Sequence, residues 1–306
     1  MLNKCITVVL ATYNGAKYLR EQLDSIFECE YFDELVSKVI ISDDGSTDDT
    51  SKILLEYKSK YNNVHLSKNK SKGVKANFIN GIMDVESDYI VLCDQDDIWE
   101  RNKLITLYNE IIKIENERKL CGLVFSDSTM VDSELNIINN SFFDFNKLII
   151  KDRLNTKAIL LKNVCQGCVM IFNKKIVDDL FNTNHEYWVM HDWAIMINGV
   201  SNYAVGYIEE PLIKYRIHSN NAIGEKKTNI LRKIINISNE IRKYSNYIDS
   251  VFQQASEMKK SSIINKDFEL SFSDWFCYEN SNLRKLASVF FYKKITENIK
   301  RFNIIN

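Results

Sequence analysis

The sequence predicts an α/β protein with a mixed, mainly parallel sheet flanked by helices, followed by a C-terminal helical appendage. Short apolar runs alternate with amphipathic stretches, the order expected of repeated βα units. The charge also changes along the chain: residues 1–224 carry 25 Lys and Arg against 32 Asp and Glu, whereas residues 225–306 carry 15 against 9. We therefore expect an acidic α/β domain over 1–224 and a basic amphipathic helical tail over 225–306.

The first half of the chain contains the clearest elements. Apolar runs predict strands at residues 6–10, 39–41, 64–66, 89–93 and 122–125. Helices are expected between the first four strands, because Leu19, Leu23 and Ile26 recur at helical spacing and residues 77–83 are largely apolar. Ser46 and Asp49 form a plausible capping box for the helix that carries Ile53.

Beyond residue 125 the pattern is less regular. Residues 135–163 have weak periodicity and are interpreted as an insertion or loop. A strand at 169–172, a helix at 176–181 and a helix opening at 191 follow. Two further strands, 203–207 and 212–217, are expected to flank Pro211, the single proline of the chain.

The basic tail contains two predicted amphipathic helices. The first has a heptad-like apolar stripe of Ile230, Ile234, Ile237, Ile241, Tyr244, Ile248 and Val251. The second covers residues 283–302. Three interpretations stay open: packing on the body, a homodimer formed through the stripe, or contact with an anionic membrane through Phe290, Phe291 and neighbouring lysines.

Cysteine usage and the amino terminus predict a cytoplasmic protein. Of the seven cysteines only Cys165 and Cys168 have CxxC spacing, and no second pair completes a zinc site, so reduced and mostly buried thiols are expected. The chain begins without a basic-then-apolar signal segment and has no stretch of the roughly 18–20 apolar residues that a membrane span needs.

The sequence CDQDDIW at 93–99 places Asp94, Asp96 and Asp97 directly after a predicted strand. Such crowded carboxylates repel one another, and hard oxygen ligands suit Mg²⁺ or Mn²⁺. In open α/β sheets ligands bind outside the carboxyl ends of the strands. Tyr13, Asp43 and Asp44 also follow strands, so we expect all six side chains to converge on one rim. A solvated acidic turn is the alternative.

These segments resemble a known family. VLATYNG at 9–15, ISDDGSTD at 41–48, KANF at 75–78, CDQDDIW at 93–99 and HDW at 191–193 occur in the order seen in bacterial family 2 glycosyltransferases with a GT-A fold. A late YRIH at 215–218 favours the rhamnosyltransferase-like branch. The resemblance covers about residues 5–220, leaves the tail outside, and implies a nucleotide-diphospho-sugar transferase fold.

The resemblance implies transfer of a sugar, rhamnose in the branch named above, with inversion from a nucleotide-diphosphate donor, assisted by Mg²⁺ or Mn²⁺. Asp192 would be the general base, and Asp96, Asp97 and His218 the metal ligands. Tyr13 would pack on the nucleobase and Asp44 would accept a hydrogen bond from it. The full donor-binding set would be Ala11, Tyr13, Asn14, Asp43, Asp44, Lys75, Asn77, Asp94 and Gln95.

Plainer interpretations exist for several of these residues. Asp192 also suits a helix N-cap, His218 a structural histidine and Lys75 a solvated cation. Trp99 and Trp188 offer apolar faces on which a sugar ring could stack, but they suit the core or the wall of a cleft better than a dedicated sugar platform. An Mg-dependent nucleotidyltransferase is one rival function, although no GxxxxGK[ST] loop is present. A non-catalytic nucleotide-sugar binding module is the other.

The implied acceptor is a glycan or polyprenyl-linked molecule in bacterial surface polysaccharide synthesis, such as capsule or O-antigen. The chain would then work at the inner face of the cell membrane. Nucleic acid is not an expected partner, because the body is acidic.

Overall fold

The computed structural model describes residues 4–68, 71–218, 237–277 and 287–304, and one nine-stranded sheet dominates this part of the chain. The strands are β1 Ile6–Thr12, β2 Val36–Asp43, β3 Val64–Lys68, β4 Tyr89–Cys93, β5 Ile98–Trp99, β6 Gly122–Val131, β7 Ile137–Asn139, β8 Met170–Asn173 and β9 Ala204–Arg216. Their order is β3-β2-β1-β4-β8-β6-β9-β5, and β7 pairs with β6.

The sheet is mixed, as the sequence predicts. Strands β1, β2, β3 and β4 pair in parallel, as do β6 and β9, whereas β8 runs antiparallel to both β4 and β6. Every residue of β1 and β4 is buried. Continuous Val, Ile and Leu runs of this kind suit parallel strands that are covered on both faces.

Helices make up most of the remaining regular structure of the described residues. They are α1 Leu19–Phe27, α2 Phe32–Leu35, α3 Thr50–Lys60, α4 Val74–Met83, α5 Lys103–Arg118, α6 Phe142–Phe145, α7 Ile150–Arg153, α8 Thr156–Leu161, α9 Lys175–Leu180, α10 His191–Asn202, α11 Ile237–Lys260, α12 Phe272–Cys277 and α13 Tyr292–Ile304. The α/β class and the helical C-terminal region are therefore confirmed.

Two compact units share the chain. The first contains Met1–Phe145, Cys165–Val177 and Tyr203–His218, and therefore the whole sheet. The second contains Asn146–Val164, Asp178–Asn202 and Ser219–Asn306. The predicted boundary after residue 224 lies outside the described residues, so the division into 1–224 and 225–306 stays a prediction.

The two strands predicted around Pro211 are in fact one. Strand β9 runs from Ala204 to Arg216, and its pairing with β6 shifts between Ser126 and Asp127, where Pro211 lies opposite Asp127. Proline has no N–H to donate, and a bulge is a position where a sheet tolerates it. The irregular stretch 135–163 also differs from the prediction, because β7, α6, α7 and α8 all form within it.

In the second unit the tail helices bury apolar side chains. Ile248 and Val251 of α11 are fully buried, and Phe252 stacks on Trp275 of α12 with ring centroids 5.4 Å apart. The second half of the predicted stripe, Ile248 and Val251, is thus buried within this unit. Ile230 and Ile234 lie outside the described residues. Among the described helices, α11 included, none combines the length and apolarity that crossing a bilayer requires.

Candidate active site

Parallel pairing brings three strand ends to one edge of the sheet. In the register, Thr12 of β1 lies opposite Asp43 of β2, and Leu10 lies opposite Cys93 of β4. The turns that follow these strands carry Tyr13, Asp44 and the CDQDDIW motif. We call this edge the acidic rim, defined by Tyr13, Asn14, Asp43, Asp44, Asp94, Gln95, Asp96 and Asp97.

Gln95 ties the end of β1 to the acidic turn after β4. Its Oε1 accepts hydrogen bonds from Thr12 Oγ1 at 2.7 Å and from the Tyr13 backbone N–H at 2.8 Å, and its Nε2 donates to the Tyr13 carbonyl at 3.2 Å. The Tyr13 ring remains 52% exposed. Gly15 makes this bridge possible, since a Cβ there would lie 2.3 Å from Gln95 Oε1.

A second set of hydrogen bonds holds the turn after β2. Asn14, at a φ of 48°, accepts the Thr47 N–H on its Oδ1 at 2.8 Å and donates its own N–H to Ser46 Oγ at 2.8 Å. Ser46 in turn donates its N–H and its hydroxyl to the Asp43 carboxylate. Asp43 is thus the anchor of this turn.

The capping box predicted from Ser46 and Asp49 is wrong. Asp49 precedes α3 but makes no side-chain capping bond, and the hydroxyl of Ser46 is used by Asp43. Asp48 instead accepts the Thr50 N–H at 3.0 Å. The sequence pattern predicted a contact between Ser46 and the helix that follows it. In the structure Ser46 instead bonds to Asp43 at the end of β2.

Asp44 and Asn77 complete this side of the rim. Asp44 Oδ2 accepts the Gly73 N–H at 2.7 Å, and buried Asn77 donates from Nδ2 to the Thr12 carbonyl at 3.0 Å. Lys75 lies half-buried in the first turn of α4, and Ala11 is within β1 opposite Ser42. The structure therefore places all the predicted donor-binding residues in or beside three strand ends.

Asp96 and His218 form a close pair on the rim. His218 Nε2 lies 2.8 Å from Asp96 Oδ2, and the two side chains are only 11% and 13% exposed. The His218 ring also stacks on Tyr18, with centroids 5.0 Å apart. Burial raises the pKa of Asp96, although His218 and Arg216 act in the opposite direction.

Arg216 organises the acidic turn from the end of β9. Its backbone N–H donates to Asp97 Oδ1 at 3.0 Å and its Nε donates to the Asp96 carbonyl at 2.8 Å. Its guanidinium also reaches Ser133 O and Glu21 Oε2, each at 2.7 Å, while the side chain is 2% exposed. The sequence interpretation gave Arg216 no role, although its place in the YRIH motif was a signal.

Asp97 is buried beneath the rim. Burial raises its pKa well above the usual range, and the neighbouring carboxylates of Asp96 and Asp94 add to the effect. The carboxyl groups of Asp96 and Asp97 are therefore suited to bind a divalent cation, because such an ion would stabilise their ionised forms. The carboxylates are the ligands that suit Mg²⁺ or Mn²⁺, whereas the imidazole alone would favour a softer ion.

Asp192 lies in the second unit, in the first turn of α10. Its Oδ1 accepts the Trp193 N–H at 2.7 Å and its Oδ2 accepts from Asn163 Nδ2 at 3.3 Å. The N-cap interpretation does not apply, because α10 already begins at His191. Asn163 is a neighbour that the sequence did not indicate.

The two candidate cleft-wall tryptophans are core residues. Trp99 and Trp188 are each 3% exposed. The Lys103 ammonium sits 3.6 Å from the centroid of the Trp99 ring, and Trp188 Nε1 donates to Thr183 Oγ1 at 2.8 Å. Their buried rings favour the packing interpretation.

Comparisons with known proteins agree with this architecture, which is that of the GT-A-like glycosyltransferases. The model of the family described as "Glycosyl transferase family 2" matches residues 7–181, more than half of the chain. The chain belongs to glycosyl transferase family 2, the family that its sequence motifs resemble.

Among related sequences, the dTDP-rhamnosyl transferase RfbG of Shigella flexneri is 29% identical over 231 residues, covering 70% of this chain and 73% of RfbG. The glycosyltransferase GlyG of Streptococcus pneumoniae serotype 4 is 29% identical over 189 residues, 60% of each chain. Some other relatives are longer; an uncharacterized glycosyltransferase of Rickettsia felis is covered over only 35% of its length.

Among solved structures, residues 1–349 of S. aureus TarS in complex with UDP-GlcNAc share 14% identity with this chain at a TM-score of 0.58. The match covers 98% of this chain and 83% of that one. At this identity the likeness establishes the fold.

Proposed function

We propose that this chain is an inverting, metal-dependent glycosyltransferase that moves a sugar from a nucleotide-diphosphate donor to a glycan or polyprenyl-linked acceptor. The observation that carries the proposal is the Asp96–His218 pair, at 2.8 Å, on a rim where three parallel strand ends meet. Family membership supports sugar transfer, and the pair supports a cation at the diphosphate.

The donor is proposed to lie along the rim. The exposed ring of Tyr13 offers a face for a nucleobase, and Asp44 offers a carboxylate to the base. Gln95 holds the backbone of Tyr13 through both its N–H and its carbonyl, which fixes the point from which the side chain extends. RfbG is named a dTDP-rhamnosyl transferase and TarS was solved with UDP-GlcNAc, which makes dTDP-rhamnose and UDP-GlcNAc the first donors to test.

Asp96 and His218 are proposed to hold Mg²⁺ or Mn²⁺, with Asp97 and Asp94 in support. When bound, such an ion stabilises the negative charge that develops on the departing diphosphate. Arg216 keeps the carbonyl of Asp96 and the carboxylate of Asp97 in place, so the turn presents its carboxylates to the ligand in a fixed geometry.

Asp192 is the proposed general base. An acceptor hydroxyl is too weak an acid to ionise at neutral pH, so one Asp192 oxygen would take its proton as the oxygen attacks the anomeric carbon from the face opposite the diphosphate. Single attack of this kind inverts the anomeric centre. Asn163 and the Trp193 N–H, both hydrogen-bonded to the carboxylate, hold it in orientation.

The experiment is a donor screen with two readouts. The protein is incubated with dTDP-rhamnose or UDP-GlcNAc, with and without Mn²⁺, and both the unfolding temperature and the release of nucleoside diphosphate are measured. A donor at 100 times its Kd stabilises the native state by about 2.7 kcal/mol. We expect one donor to stabilise the protein only with Mn²⁺ and to yield nucleoside diphosphate as its sugar is transferred slowly to water, which takes the place of the acceptor.

Other outcomes favour the rival functions. Stabilisation without any nucleoside diphosphate, even with acceptor added, would favour a binding module. Release of pyrophosphate from a nucleoside triphosphate would favour a nucleotidyltransferase. Absence of stabilisation by every nucleotide sugar would overturn the proposal.

The tail is proposed to bring the enzyme to the inner face of the cell membrane. Val289, Phe290 and Tyr292 are 59%, 73% and 55% exposed, and exposed Lys293 adjoins them. Exposed aromatic and basic side chains in one segment suit an anionic lipid surface. A homodimer would depend on the first half of the apolar stripe, where Ile241 is 39% exposed, because Ile248 and Val251 are already buried.

A further inference from the structure

Helix α11 of the basic tail contacts the part of the chain that carries Asp192. We propose that Gln254 and Glu257 of α11 are positioning residues for this base segment, defined as residues 184–193, which belongs to the same compact unit as α11. Asp192 is the general base under the proposed function, on which this inference rests. Sugar transfer would then require the tail, although the tail lies outside the family resemblance of the sequence.

Glu257 holds the start of the base segment. Its Oε1 accepts the Asn184 backbone N–H at 2.8 Å and the Ser261 hydroxyl at 3.1 Å. The Asn184 side chain in turn caps the 3₁₀ turn His185–Tyr187, since its Oδ1 accepts the Glu186 N–H at 3.0 Å. The turn that leads towards α10 is therefore fastened to α11 at its N-cap.

Gln254 holds the far side of the same turn. It lies three residues before Glu257, on the same side of α11, and its Oε1 accepts the Val189 N–H at 2.8 Å. Gln254 is fully buried, and its Nε2 has no hydrogen-bond partner among the described residues. An unpaired buried N–H costs free energy, so leucine would fill this place at least as well. The bond to Val189, three residues before Asp192, is what the glutamine contributes.

Tyr247 of α11 contacts the residue that follows the base. Its ring stacks on Trp193 with centroids 6.4 Å apart, and its hydroxyl donates to the Leu161 carbonyl at 3.3 Å. The Trp193 N–H is one of the groups that hold the Asp192 carboxylate. Helix α11 therefore contacts the chain on both sides of Asp192, so a change at this helix face would displace the carboxylate.

The position of a general base decides how well it works. It must lie within hydrogen-bond reach of the acceptor hydroxyl, roughly 2.6–3.2 Å between heavy atoms. A misplacement of about 1 Å can cost about 10²-fold in rate, even when the mutated residue is far from the reacting atoms. Loss of a bond between α11 and the base segment should therefore slow transfer and leave donor binding unchanged, since the proposed donor-binding residues all belong to the first unit.

The test compares two neighbouring glutamines of α11 in the full chain. Gln254→Leu removes the acceptor for the Val189 N–H, whereas Gln253→Leu makes the same change at an exposed position. Each variant is assayed for sugar transfer, for stabilisation by dTDP-rhamnose or UDP-GlcNAc, and for hydrogen exchange in the base segment by mass spectrometry. We expect Gln254→Leu to transfer at least about tenfold more slowly, with faster exchange and unchanged stabilisation by the donor. Gln253→Leu should match the wild type in all three.

Glu257 supplies an independent variant if Gln254→Leu fails to fold. Glu257→Leu should slow transfer by a similar factor, and Glu257→Gln, which keeps an oxygen acceptor for the Asn184 N–H, should recover most of the lost rate. If α11 served folding alone, stabilisation by the donor and transfer would fall together in both leucine variants, and the positioning role would be wrong.

Two further results separate this inference from the proposed function. Transfer at the wild-type rate by either folded leucine variant, with Asp192→Asn inactive, would overturn the positioning role and leave the base in place. Wild-type turnover by Asp192→Asn would instead remove the base, and the positioning role with it.

Discussion

The backbone N–H of Arg216 donates to Asp97 Oδ1 at 3.0 Å, joining two residues that lie 119 positions apart in the chain. The end of β9 is thereby fastened to the turn after β4. Because His218 follows Arg216 by two residues, the same strand sets the position of the imidazole beside Asp96. The candidate metal site is thus assembled by several contacts between the end of β9 and the acidic turn.

Replacing Arg216 by Met should strongly destabilise the protein. The buried guanidinium satisfies the carbonyls of Asp96 and Ser133, and each buried acceptor left without a donor costs about 1–3 kcal/mol. We expect the free energy of unfolding in urea to fall by about 2–5 kcal/mol. Glu21→Gln is the control: the Glu21 side chain is 55% exposed, so a loss of under about 1 kcal/mol is expected. If both variants lost the same unfolding free energy, Arg216 would not be the residue that holds the acidic turn.

Asp192→Asn should separate binding from transfer. Loss of a general base lowers the rate by roughly 10² to 10⁴, whereas the amide keeps the size of the side chain. We expect transfer to fall by that factor while stabilisation by the donor is unchanged. Asp144→Asn, which alters an exposed carboxylate of α6, should retain activity. Turnover of Asp192→Asn at the wild-type rate would remove Asp192 from the mechanism.

Gly15→Ala should weaken donor binding without unfolding the protein. The added Cβ would lie 2.3 Å from Gln95 Oε1, so the flexible Gln95 side chain must move and its bond to the Tyr13 N–H is lost. Losing a hydrogen bond of about 1.4 kcal/mol corresponds to tenfold weaker binding. Calorimetric titration of the nucleoside diphosphate measures it.

Gly45→Ala provides the contrast to Gly15→Ala. Gly45 has a φ of +81° and open space where an added Cβ would lie, so alanine there would cost about 1 kcal/mol of stability through backbone strain alone. The Gln95 bridge would be untouched. If Gly15→Ala binds donor as tightly as the wild type does, the bridge does not position Tyr13.

His191 should make stability depend on pH. Burial lowers the pKa of His191 to about 3 from an ordinary 6.5, so between these values the unfolded chain binds a proton that the native state does not. The stabilising effect of the neutral ring is complete above about pH 6.5 and is lost as the pH falls towards 3. At pH 5 the loss is about 2 kcal/mol.

The measurement for His191 is the unfolding free energy at pH 7.5 and pH 5. His191→Leu should show a smaller decrease between the two pH values than the wild type does. His65→Asn, at an exposed position of β3, should behave as the wild type. An unchanged decrease in His191→Leu would show that other groups govern the effect.

Phe290→Ser should reduce membrane binding. Phe290 is 73% exposed, so the substitution leaves packing intact, and burying such a ring in a lipid interface contributes about 1.5–3 kcal/mol. We expect the wild type to co-sediment with phosphatidylserine vesicles, and the variant to bind at least about tenfold more weakly. Leu55→Ser, which removes a 61% exposed side chain from α3, should bind as the wild type does. If the wild type bound uncharged phosphatidylcholine vesicles equally well, the basic side chains would not contribute to membrane binding.

Much of the fold and rim could be predicted because the signals are local. Strands β1, β2 and β4 each contain a short run of buried apolar residues, and Asp44 and Asp94 directly follow β2 and β4, so the parallel topology alone brings these carboxylates to one edge. Contacts that depend on tertiary structure could not be predicted. Arg216 meets Asp97 because β9 pairs with both β5 and β6, and Asn163 meets Asp192 from 29 residues away in the chain.

The bulge at Pro211 has a consequence for how this chain can vary. Between the pairs Gly122–Ala204 and Val131–Arg216, β9 uses three more residues than β6 does. Side chains alternate between the faces of a strand, so deleting one residue after Pro211 would turn Arg216 and His218 to the wrong side. The number of residues in this part of β9 is therefore constrained more tightly than their types. Exposed Glu209 and Glu210 should tolerate substitution far better than deletion.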